Sequence, residues 1–232
     1  GFHYAALMTY GYTVTACADP KQVMQVVQQV RPTFFGAVPR IWEKLKAALE
    51  AMVAGQEDPE VKAKIEGALE AAIRKVRLEQ TGEPVPEELA AAVARADAEL
   101  FAPLRSMLGL ENVQWSVVGA APTPLEVLEF FAAIGLPPCE VWGMSETSAI
   151  ATMNTPEHMK LGSVGRPIPG VDVRLADDGE LLVRGPNVML GYKGQPEEFL
   201  AVEKGEVHGL FMSGWSGPGR AYVREQMSKG TL

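Results

Sequence analysis

The stretch Val141-Trp-Gly-Met-Ser-Glu-Thr-Ser-Ala149 gathers one carboxylate, one indole and several hydroxyls around small residues. That set suits a planar, phosphorylated ligand. Glu146 offers oxygen to a hard cation such as Mg2+. Ser145 and Thr147 carry O–H groups that can donate to an anion, and the flat ring of Trp142 can stack on another ring. A second stretch, Gly119-Ala-Ala-Pro122, has side chains small enough for a ligand to approach backbone N–H groups. Together they outline a nucleotide-phosphate site. Short loop patterns recur by chance, so an ordinary reading stands beside it. Trp142 then belongs to a core, Glu146 caps a following helix, and the hydroxyls satisfy turn backbone.

Both loops follow short apolar runs. Val113–Val118 and Cys139–Trp142 read as strands, and between them Thr123-Pro-Leu-Glu126 has the form of a capping box opening a helix through Leu128 and Phe131 to Gly135. Strand, helix, strand predicts a right-handed crossover between parallel strands, whose outgoing loops leave one edge of the sheet as neighbours. Upstream, Tyr12–Cys17 is β-branched and predicts a strand. Asp19-Pro20 then supplies an N-cap and a first-turn proline for a helix burying Val23, Met24, Val27 and Val30. Thr33–Val38 is a continuous apolar run of the kind buried in a parallel sheet, closed by Pro39.

From Ile41 to about Leu108 the texture is helical. Ile41, Leu45, Leu49, Met52 and Val53 keep helical spacing, as do Val61, Ile65, Leu69, Ile73 and Val76 after Asp58-Pro59. A third helix begins near Pro86 with Leu89, Val93 and Leu100 inward, and Pro103 should break or kink it. Beyond Lys160, glycine and proline punctuate the chain. Val171–Leu175 and Glu180–Arg184 then flank Asp177-Asp-Gly179, a hairpin signal. The expected fold class is α/β: a parallel-sheet unit over residues 1–160 carrying a helical insertion at about 41–108, then the start of a β-rich unit over 161–204. Over 205–232 apolar periodicity is lost, which predicts poor order.

The chain of 232 residues is 47% hydrophobic, enough for the core of one large domain or of one and part of another. Its formal charge of -8 opposes the counterion-release attraction that drives nucleic-acid binding, so no nucleic-acid partner is expected. Cys17 and Cys139 are too few for a disulfide framework and point to a reducing compartment. His3, His158 and His208 lack ligand spacing. No apolar run approaches a membrane span and the first residues lack the charged start of a signal peptide, which reads as cytoplasmic. Nothing in the sequence specifies an oligomeric state.

Several of these motifs resemble the acyl-adenylate-forming, AMP-binding enzymes. Val141–Ala149 looks like their adenine and metal motif, and Val117-Val-Gly-Ala-Ala-Pro-Thr-Pro124 like the adenine-site loop that precedes it. The likeness continues in Gly162-Ser-Val-Gly-Arg-Pro-Ile-Pro-Gly170 and Gly179-Glu-Leu-Leu-Val-Arg-Gly-Pro-Asn-Val-Met-Leu-Gly-Tyr192. Val38-Pro-Arg-Ile-Trp-Glu-Lys44 with the helices after it is similar to the long-chain fatty-acid CoA ligase branch. The resemblance covers about residues 3–200, beyond motif coincidence.

It implies a two-step reaction in which a fatty carboxylate attacks the α-phosphate of ATP, and the acyl-adenylate then passes its acyl group to CoA. It also implies roles. Gly119, Ala120 and Ala121 border adenine, Trp142 packs against it, and Gly143 and Met144 line the adenine and acyl side. Ser145 approaches the α-phosphate and Glu146 holds Mg2+. Positioning and charge neutralisation carry such chemistry. Fatty substrates and CoA suggest occasional peripheral contact with membranes, although no basic amphipathic helix marks it.

Four departures are visible. Most relatives carry Thr where this chain has Ser145, which keeps the donor and loosens its rotamer. The family's Gly, Ser and Thr-rich phosphate loop falls upstream of the first residue. Residues 201–232 contain no aspartate to hold ribose, and no stretch of the sequence resembles the family's C-terminal domain with its lysine. An internal segment with little activity of its own is therefore expected. The alternatives are a catalytically silent adenine-binding module and another acyl-adenylate former, such as an aryl or amino-acid activator.

Overall fold

The structure, a computed structural model, describes residues 8–189. The expectations for 190–204 and for the tail at 205–232 lie outside the described residues. Asp19 starts the first helix: its carboxylate accepts from the Lys21 N–H at 2.9 Å and its carbonyl from the Gln22 N–H at 2.9 Å. A 3-10 turn over Pro20–Gln22 leads into α1, Val23–Val30. Tyr12–Cys17 is not a strand. Tyr12 and Val14 stand exposed, and β propensity is realised only where a neighbouring strand and a covered face are supplied.

Strand β1, Phe34–Ala37, is followed at once by α2, Pro39–Ala54, so Pro39 both ends the strand and takes the first helical turn, where its missing N–H costs nothing. Trp42, Leu45 and Leu49 form the buried stripe of α2. Helix α3, Pro59–Thr81, is capped by Asp58, which accepts from the Glu60 and Val61 N–H groups at 2.9 and 3.4 Å. The third expected helix is α4, Glu87–Ala96, and α5, Ala102–Leu108, joined by a π turn over Asp97–Phe101. Pro103 has no N–H to give to the carbonyl four residues back. The wider π register, with the Ala102 N–H on the Asp97 carbonyl, absorbs this without ending the helix.

Strand β2, Trp115–Val118, helix α6, Leu125–Ala133, and strand β3, Pro138–Trp142, complete the crossover. The expected capping box does not form. A residue before proline is pushed to extended backbone, so the cap position falls on Pro124, which has no side-chain acceptor. The helix ends as expected at Gly135, φ +77°, with the Leu136 N–H on the Phe131 carbonyl at 2.8 Å. Strands β1, β2 and β3 are parallel in that order, with Phe34 opposite Trp115, Ala37 opposite Val118, and Val118 opposite Glu140.

The described residues fall into two compact units: up to Val141 with Asn154–Gly165, and Trp142–Met153 with those from Arg166 onward. The first has its core at Trp42, set edge-on to Phe35 and Phe131 with centroids 5.2 and 4.7 Å away, beside Leu110, Leu128 and Ile134. Burying side chains of this size contributes about 1.5–3 kcal/mol each. In the second, β4, Thr152–Met153, pairs antiparallel with β5, Arg166–Pro167. Strands β6, Asp172–Leu175, and β7, Leu181–Arg184, form the expected hairpin, with Gly179 at φ +87° in its turn. Ala151, Val171 and Val183 make its core, with Trp142, Ile168 and Val188 packed against them. Among the described residues no helix is long and apolar enough to cross a membrane.

Candidate functional site

Gly119 continues β2 in the first unit. A Cβ there would lie 2.7 Å from Cγ2 and 2.8 Å from the carbonyl oxygen of Val141, so the two strands keep their spacing at this point only with glycine. Ala120 follows at φ +73°, left-handed backbone that L residues adopt at a cost of about 1 kcal/mol or more. Ala120 and Ala121 are exposed. The first adenine-loop candidates thus occupy a strained, open turn at the end of a parallel strand, the place where α/β sheets take ligands.

The other candidates form one continuous turn in the second unit. Trp142 is half-buried against the Ala151 cluster and accepts the Ala151 N–H on its carbonyl at 2.9 Å. The ordinary reading of this indole as core therefore holds for part of its surface. Gly143 is tighter still: a Cβ would strike the Ala149 carbonyl. The Met144 carbonyl accepts from the Thr147 and Ala149 N–H groups at 3.2 and 3.0 Å, and the Ser145 carbonyl from the Ser148 N–H at 3.0 Å.

Thr147 does not serve an anion. Its buried hydroxyl accepts from the Met144 N–H at 3.0 Å and donates to the Met144 carbonyl at 3.1 Å, closing a 3-10 turn over Ser145–Thr147. A hydroxyl within reach of the backbone three residues away is captured by its own turn. Ser145, by contrast, is exposed. The capping role for Glu146 also falls away, because the next element is β4 and not a helix. Glu146 is half-buried, and its carbonyl accepts from the Met189 N–H at 2.7 Å.

One contributor escaped the sequence reading. Asn187 donates through Nδ2 to the carbonyls of Thr147 and Ile150, at 3.0 and 2.9 Å, and its own carbonyl accepts from Ser148 Oγ at 2.7 Å. These bonds hold Ser148 and Ala149 at φ +53° and +100°, two successive left-handed residues. Asn187 sits in the run Gly179–Tyr192, whose resemblance marks the region without indicating this brace.

Among the described residues no group of three or more His, Cys, Asp and Glu is placed to hold a metal ion. A single carboxylate beside an exposed hydroxyl does not make a resident metal cage, but it fits Mg2+ carried in with nucleotide phosphates, which supply most of the ligands. On β3, burial pushes the Cys139 thiol up to about 11, which leaves it protonated and inert. An apolar cavity of about 430 Å3 opens among helices of the first unit, lined by Leu49, Ile65, Leu69, Leu104, Phe130 and others. It shares no residue with the candidate loops, and the charged side chains of its lining are Glu50 and Glu66, the wrong sign for a fatty carboxylate.

The family model described as AMP-binding enzyme matches residues 4–193. A Mycobacterium tuberculosis protein provisionally named fatty-acid--CoA ligase fadD11 is 44% identical over 187 residues, covering 81% of this chain and 33% of that protein. Long-chain-fatty-acid--CoA ligase FadD15 of Mycobacterium bovis is 34% identical over 185 residues, covering 80% and 29%. The chain thus spans about a third of the length of the curated relatives it matches. In fold it is similar to unliganded o-succinylbenzoate CoA synthetase of Bacillus subtilis, at TM-score 0.50 and 20% identity over 84% of this chain and 33% of that one. A double mutant of that synthetase with a bound product analogue gives TM-score 0.51 and 21% identity, covering 84% and 31%. The chain belongs to the AMP-binding enzyme family.

Proposed function

We propose that these residues form part of a long-chain fatty-acid CoA ligase. The carrying observation is the turn at Met144–Ala149: Thr147 and Asn187 lock its backbone, and the Ser145 hydroxyl stays exposed beside Glu146. A rigid turn of this kind presents a donor and a carboxylate without reorganisation during the reaction. Relatives named as fatty-acid CoA ligases support the substrate class.

In this reading Gly119–Ala121 and Trp142–Met144 are, each by its own motif, the stretches that the resemblance assigns to adenine. The fatty carboxylate oxygen attacks the α-phosphorus of ATP, and the bond to pyrophosphate breaks. The CoA sulfur, having lost its proton, then attacks the acyl carbonyl, and the bond to AMP breaks. Ser145 donates to the α-phosphate oxygen as its charge is redistributed. Mg2+, when bound at Glu146, neutralises charge on the phosphates.

No Gly, Ser and Thr-rich phosphate loop stands among the 232 residues. The isolated polypeptide is therefore expected to retain part of an adenine pocket and to turn over little. Calorimetry with a nonhydrolysable acyl-adenylate analogue tests the pocket: wild type gives an adenine-dependent heat that Trp142→Ala abolishes. No heat with wild type overturns the pocket. Robust pyrophosphate release from ATP, Mg2+ and palmitate overturns the inactivity.

A further inference from the structure

The chain passes between its two units at three points, Val141–Trp142, Met153–Asn154 and Gly165–Arg166. A hydrogen-bonded cluster, wholly inside the first unit and centred on two buried polar residues, stands at all three. Glu140, 9% exposed, comes one residue before the first crossing, and Asn154, 1% exposed, is the residue on which the chain returns at the second. Gly162 and Ser163 lead into the third.

The bonds among them are specific. The Asn154 N–H donates to the Glu140 carbonyl at 2.9 Å. Asn154 Nδ2 donates to the Lys160 and Ser163 carbonyls at 3.2 and 2.5 Å, and its Oδ1 accepts from the Lys160 N–H at 3.1 Å. The Glu140 carboxylate accepts from the Gly162 N–H at 2.7 Å. Ser163 Oγ accepts from the Gly165 N–H at 3.2 Å, at the crossing itself. From the far end of α3, Gln80 donates to the Met159 carbonyl at 3.3 Å and accepts from the Leu161 N–H at 2.8 Å. Asn154 thereby uses both amide protons and one of the two lone pairs of its oxygen.

A leucine of similar size would fill the Glu140 position without desolvating a carboxyl group, so packing alone gives no reason for a glutamate here. We propose that Glu140 and Asn154 are positioning residues that tie the three crossings into one joint. Trp142–Glu146 then leaves β3 from a fixed point, and Met153 returns to another. The consequence for catalysis rests on the ligase reading; the clasp itself does not.

Hydrogen exchange on the full 232-residue chain without nucleotide tests it. In Glu140→Leu and Asn154→Leu, amides of Trp142–Met153 and Leu161–Gly165 are expected to exchange about tenfold faster. Those of α2 and α3 should change by less than about twofold. Glu140→Gln keeps one acceptor for Gly162 and is expected to accelerate the same segments only about threefold. It carries the test if the leucine variants do not fold. Acceleration confined to Leu161–Gly165 makes the cluster a local loop brace and overturns the proposal; a uniform rise through α2 and α3 makes it general stability and does the same. Analogue binding by calorimetry is measured in parallel. Absent binding by wild type overturns the adenine pocket and leaves the exchange result to decide the clasp.

Discussion

At Gly143 a methyl group has nowhere to go, because the Ala149 carbonyl oxygen already occupies the space. Gly143→Ala is expected to destabilise the chain by about 1–3 kcal/mol, the cost of overpacking a closed site. Urea unfolding followed by tryptophan fluorescence checks it, and an unchanged midpoint would mean that the turn yields. At this scale the sequence made Trp142, Ser145 and Glu146 legible, since an indole, a hydroxyl and a carboxylate declare their chemistry by type. It did not make Thr147 and Asn187 legible. The Thr147 hydroxyl could face a ligand or its own turn, and only the 3-10 geometry decides. Asn187 reaches the carbonyl of Thr147, 40 residues away, a pairing that no local spacing encodes.

Among the elements, helices were the most legible, because burial on one face imposes a period and caps mark the ends. Asp58 is the plainest case, with two backbone N–H groups on its carboxylate. Asp58→Ala is expected to cost about 1 kcal/mol, read as a lowered thermal midpoint by circular dichroism, with Asp58→Asn recovering most of it. Pro103 was legible as a disturbance but not as a π turn, since a proline states only which hydrogen bond is lost. Strands fared less well. Tyr12–Cys17 has the residues of a strand and no ladder, whereas β4 and β5, two residues each, are too short to carry any alternation. Strand formation depends on a partner distant in sequence, and helix formation largely does not.

For the molecule as a whole, one contribution to the pH dependence of stability comes from Glu140. Burial raises the Glu140 carboxyl above its ordinary range, and the N–H groups of Gly162 and Ser163 offset this only in part. The folded chain therefore holds that proton more readily than the unfolded one. The associated stability is fully present below the unfolded pKa and is lost as pH rises through the folded value. Wild type is accordingly expected to lose ground to Glu140→Gln as pH rises from the ordinary carboxyl range through the raised folded value. Chemical denaturation of both proteins at each pH checks this, and a constant difference would place the proton elsewhere. The α/β class and parallel crossover were legible in the order of apolar runs. The division into units was not, because Trp142–Met153 groups with residues beyond Arg166.

That interleaving constrains how such a gene can be rearranged. A single breakpoint inside Trp142–Met153 or Asn154–Gly165 cannot exchange one unit whole, since each is encoded by two separated stretches. A chimaera that swaps one unit cleanly needs a crossover at each of the three junctions, and a protease nick at any one of them leaves the two still covalently linked.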